Sequence, residues 1–113
     1  MSATENNKRK DIFIANLNAH TKLISDVKVV RLHTKDGDEL IYQNIAGQSG
    51  TFRILANLVE NGRLTSEACN KALLIYGPYV EEAVANPGMH PAIDAIMSVD
   101  DGEYLRVDIE YIN

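Results

Sequence analysis

Cysteine is almost missing from this chain: Cys69 is the only one in 113 residues. A lone thiol excludes an internal disulfide, and without Cys-x-x-Cys spacing the usual cysteine-based metal frameworks are excluded too. Such usage fits a reducing compartment. Also missing is any apolar run approaching the roughly 18 residues that cross a bilayer. The opening "MSATENNKRK" lacks the apolar centre of a secretory signal. These absences predict a cytoplasmic protein without a membrane partner. Basic surface is scarce as well. Net charge is −5, and residues 80–113 hold eight acids against the single Arg106. Only "NKRK" at 7–10 is basic enough to meet phosphate, so no nucleic-acid partner is expected.

What is present reads as one globular unit. Hydrophobic residues make up 45% of the chain, well above the disordered regime. The reading places a disordered tail at 1–8 and a single domain at 9–113. Ile12, Phe13 and Leu17 can share a helical face, which predicts a short helix near 9–18. "VKVVRLHT", "KDGD" and "ELIYQNIA" then read as strand, Asp-Gly turn and strand, a β-hairpin. Apolar residues occupy both faces of 27–32, so that strand is either covered on two sides or bulged. Phe52, Leu55 and Val59 repeat with helical spacing in "FRILANLVENG", predicting a helix that ends at Gly62. A further helix starts from Thr65 or Ser66 as N-cap. Gly77-Pro78 breaks it, and Pro78 and Pro91 can each open a new helix. In "EYLRVDIEYI", Leu105, Val107, Ile109 and Tyr111 alternate with Tyr104, Arg106, Asp108 and Glu110, the pattern of a half-buried strand. Asp108 and Glu110 can oppose Lys28 or Arg31 across the sheet. The fold class is therefore α+β: a small, at least partly antiparallel sheet of hairpin and C-terminal strand, packed against several short helices.

Two stretches invite a functional reading. "GQSGT" joins a strand to a helix N-terminus, where free N–H groups can hold an anion. Gly47, Ser49, Gly50, Thr51 and Arg53 are the candidates there. The order Gly50-Thr51-Phe52 lacks the lysine of a P-loop, and helix capping by Ser49 or Thr51 explains the residues more simply. "VANPGMHPAID" carries two prolines, a glycine and a histidine in six residues. Asn86, Pro87, Gly88 and Pro91 follow from turn geometry, which leaves His90. Asp94, one turn on, can accept from its imidazole, giving half of a metal site or a general base. Glu81 and Glu82 can approach only if the turn folds back. No cofactor is implied, and the identity of any metal is open.

The "DG" hairpin, the Asn44-x-x-Gly47-x-x-Gly50 link and the "N-P-G-x-H-P-x-I-D" segment together resemble a family of small uncharacterised bacterial proteins of this length. The resemblance implies a bacterial, cytoplasmic α+β domain and brings no catalytic residues with it. The expected function is a non-enzymatic module that self-associates as a homodimer or binds a protein partner. The C-terminal strand would be its open edge, with Tyr104, Arg106, Asp108 and Ile112 in contact. The rival expectation is a small-ligand or metal-dependent enzyme centred on His90 and Asp94, with "GQSGT" and Arg53 taking an anionic group.

Overall fold

The computed structural model describes residues 3–112, with side chains from residue 7 onward. In chain order the described residues form α1 (Ala3–His20), β1 (Val27–His33), β2 (Glu39–Gln43), α2 (Ser49–Leu58), β3 (Arg63–Thr65), α3 (Ser66–Tyr76), α4 (Tyr79–Ala85), α5 (Pro91–Met97) and β4 (Tyr104–Tyr111). The strands make one open antiparallel sheet in the order β2-β1-β4-β3. The α+β reading holds.

The first helix is longer than its apolar spacing implied. It begins at Ala3 rather than Arg9, so residues 3–8 belong to it; residues 1 and 2 lie outside the described residues. Lys8, Arg9 and Lys10 are good helix formers, and Arg9 is tied to Glu82 by a 3.0 Å ion pair. The hairpin forms as expected, with Leu32 opposite Leu40 and Val30 opposite Tyr42. The β1–β4 register shifts between Val27 and Val29, the mark of a bulge. The shift lets Val27, Val30 and Leu32 all join the core, while Val29 is buried outside it.

A strand that periodicity missed changes the topology. Helix α2 stops at Leu58, short of Gly62, because Val59 is already extended. Asn61 and Gly62 both adopt positive φ, at 52° and 75°. Glu60 and Arg63 exchange two backbone hydrogen bonds of 2.9 and 3.0 Å around them. This is the Asn-Gly hairpin geometry, and it launches β3 along β4. Hence β4 is an interior strand, not the expected open edge. Its Tyr104–Arg106 half pairs with β3 and its Val107–Tyr111 half with β1, and β2 and β3 are the outer strands.

The helices cover one face of the sheet. Val30, Leu32, Leu105 and Val107 meet Phe52, Leu55, Ile75, Ile93 and Ile96 in a single core. Each such side chain contributes about 1.5–3 kcal/mol through removal from water. The opposite face is ionic. Arg31 lies 3.4 Å from both Glu39 and Glu110, and Lys28 lies 3.6 Å from Glu110. The expected cross-strand pairing of the acidic C-terminal third is present. Tyr104 sits beneath the Arg63 guanidinium, 4.4 Å from its carbon.

Candidate functional site

Helix ends in this fold are held by side chains from neighbouring elements, and those ties shape a cleft. Asn16 on α1 donates to the Ile75 carbonyl near the end of α3, at 3.2 Å. Arg53 on α2 donates to the Thr21 and Leu17 carbonyls at the end of α1, at 3.0 and 3.3 Å. Asn57 exchanges two 2.9 Å hydrogen bonds with the backbone of Lys22. Helix α1 is thereby fixed across the N-terminus of α2 and the C-terminus of α3, and a cleft of about 690 Å³ remains between them. That volume lies in the range of small-molecule sites.

The glycines of "GQSGT" have separate causes. Gly47 adopts φ +84° in the turn. At Gly50 the matter is space: a Cβ would stand 2.6 Å from the Phe13 ring. Glycine lets α1 lie directly on the start of α2. The Phe13 ring stacks on Tyr76 with centroids 5.8 Å apart and meets the edge of Tyr79 at 5.4 Å. Thr51 shares a 2.8 Å hydrogen bond with the buried Tyr76 hydroxyl, and burial raises that phenol's pKa. Neither Ser49 nor Thr51 caps α2. Gln48 occupies the N-cap without a side-chain bond, its Oε1 accepting from the Gln43 amide at 2.9 Å instead.

The second stretch behaves as its turn chemistry demands. Gly88 has φ +89°, the Met89 amide donates to the Asn86 carbonyl, and His90 is the N-cap before Pro91. Its expected partner is wrong, however. Asp94 accepts from the Gly88 amide at 2.9 Å and lines a separate groove of about 310 Å³. Nε2 of His90 instead donates to Oε1 of Glu82 at 2.7 Å, while Arg9 holds the other oxygen at 3.0 Å. The turn does fold back, because α4 ends at Ala85 and sends the chain across its own side. Tyr79 packs on the imidazole with centroids 5.8 Å apart.

Gly47, Ser49, Gly50, Thr51, Arg53 and His90 all line the one cleft, and Asp94 does not. Arg53 cannot offer a whole guanidinium to a ligand, since its terminal nitrogens hold backbone carbonyls and Asn18. Its Nε is buried and has no hydrogen-bond partner among the described residues. The interface candidates Tyr104, Arg106, Asp108 and Ile112 lie elsewhere, the first three on the ionic sheet face and Ile112 just beyond β4. Lys10, Phe13, Tyr42 and Tyr79 line the cleft yet escaped sequence reasoning, because they come from three distant elements. Cys69 is buried, and burial pushes its thiol up to about 11; it is no nucleophile at neutral pH. Among the described residues, no group of three or more His, Cys, Asp or Glu could hold a metal ion. Nor is any helix among them long and apolar enough to cross a membrane.

Neither the curated proteins nor the solved structures contain a match to this chain. A family described as an uncharacterized protein conserved in bacteria, DUF2322, matches residues 13–109, and the chain belongs to that family.

Proposed function

We propose that this protein is a small-molecule-binding domain whose site is the cleft between α1, the start of α2 and the His90 turn. One observation carries the reading: two glycine-bearing turns, around residues 47–51 and 86–91, meet at one cleft over Phe13, Tyr76 and Tyr79. An aromatic floor with a few convergent polar groups is the usual make-up of a ligand site. Binding is favoured over turnover because the nucleophile candidates are occupied or inert. Thr51 is bonded to Tyr76, and Cys69 is buried and protonated. His90, oriented by Glu82, is the one imidazole among the described residues that line the cleft. A thermal-shift screen of organic metabolites against wild type and Ser49→Trp, which fills the cleft from an exposed position, tests the reading. Binders should raise the wild-type midpoint by linkage and leave the variant unmoved. Equal shifts in both proteins would refute it.

A second reading, self-association, moves from β4 to β2. The Thr34 amide donates to the Asp38 carbonyl at 2.9 Å. By the alternation of antiparallel pairs, the backbone groups of Glu39 and Ile41 then point away from β1. Gln48 covers the neighbouring Gln43 amide, but no proline, lysine or bulge protects Ile41, which is 50% exposed. Light scattering across a concentration series decides it: a dimer that Ile41→Lys dissociates supports this edge, and a monomer at all concentrations rejects it.

A further inference from the structure

We infer that the cleft takes an organic anion with an apolar or aromatic body, in class an aryl or alkyl carboxylate. The inference rests on the reading of the cleft as a ligand site and adds the charge of the ligand. The chain contains 16 acidic and 11 basic residues, yet, of the described residues, no Asp or Glu is among those lining this cleft. Lys10, Arg53 and His90 are. Glu82, which holds His90, is not among the lining residues, and its charge is shared with Arg9.

Lys10 forms no ion pair among the described residues. It lies three and four residues before Phe13 and Ile14, so the three share a helical face, and all three line the cleft. The start of α2 enters the same cleft without a capping side chain, adding the partial positive charge of a helix N-terminus. Among the described residues the charged groups of the cleft are thus cations, while Asn44 and the hydroxyls of Ser49 and Thr51 can either donate or accept. A neutral polyol would need carboxylate or amide acceptors in comparable number. A phosphate dianion would call for a bidentate arginine, and Arg53 is committed to the end of α1. Lys10, unpaired among the described residues, matches a singly charged carboxylate, and Phe13, Ile14 and Met89 offer its body an apolar surface.

The test titrates the ¹⁵N-labelled full chain with phenylacetate, 3-phenylpropionate and 4-phenylbutyrate, each beside its amide, and repeats the series on Lys10→Gln. Lys10 is exposed, so the variant folds. At least one acid should bind about tenfold tighter than its amide, as a charge-assisted hydrogen bond requires. Lys10→Gln should remove most of that preference and leave the amide's affinity unchanged. An acid and amide of equal affinity, both shifting cleft amides, would overturn the charge assignment while the cleft stands as a ligand site. Shifts outside the cleft, or none with any acid, would overturn both.

Discussion

His33 and His90 each meet a carboxylate through Nε2, at 2.8 and 2.7 Å, in different surroundings. The His33 partner, Asp108, lies on the ionic sheet face with its side chain 43% exposed, and Arg106 holds it as well. The His90 partner, Glu82, is 12% exposed, shared with Arg9, and joins three elements at the rim of the aromatic cleft. The first pair is one link in a surface network. The second fixes a ring at a cleft wall. A histidine–carboxylate pair therefore says nothing about function until its surroundings are known, and here only the His90 pair has the surroundings of a site.

Several substitutions break or sharpen that contrast. The largest effect is expected on the cleft side. Gly50→Val would drive a branched side chain into the Phe13 ring, which Tyr76 and Tyr79 hold in place. Overpacking of this kind costs about 1–3 kcal/mol, read as a lower urea midpoint. A midpoint equal to wild type would show that α1 does not bear on α2 as described. Next comes Glu82→Gln, which removes the charge that Arg9 and His90 share. Loss of charge-assisted hydrogen bonds at this partly buried position should cost about 1–2 kcal/mol. His90→Gln should then add little to it, because the pair is already broken.

Asp108→Asn should lower the midpoint at neutral pH by less than Glu82→Gln does, since exposed pairs are weak. Its pH dependence is more telling. Hydrogen bonds from Arg106 and then His33 hold Asp108 down at about 2, below its ordinary 3.8. A depressed carboxylate stabilises the fold fully above its unfolded value and loses that contribution as pH falls through the folded one. The gap between wild type and Asp108→Asn should therefore shrink from pH 5 to pH 2; a constant gap would contradict the assignment. The smallest signal concerns Cys69. Its buried thiol should react with iodoacetamide only as fast as the core opens, and rapid labelling of the folded protein would contradict its burial.

Much of the fold was legible where a residue's neighbours in sequence decide its conformation. The Asp-Gly hairpin, the Asn86–Met89 turn, Thr65 as N-cap and Pro91 at a helix start all form as local chemistry dictates. Strand β3 was missed because three residues cannot display a period, although Asn61-Gly62 was the available signal. That omission placed β4 at the edge. The site was legible only in halves. Both turns drew attention from their glycines and prolines, but their meeting at one cleft depends on α1 crossing α2 and α3. Asp94 was favoured over Glu82 because proximity in sequence stood in for proximity in space.

The most direct test of the cleft is an amide chemical-shift map of the full-length protein against a library of small organic molecules. The account predicts binders whose shifts cluster at residues 10–17, 44–53, 76–79 and 89–93. Shifts gathered around Arg31, Ile41 and Arg106 on the ionic sheet face, or a library without a single binder, would contradict it.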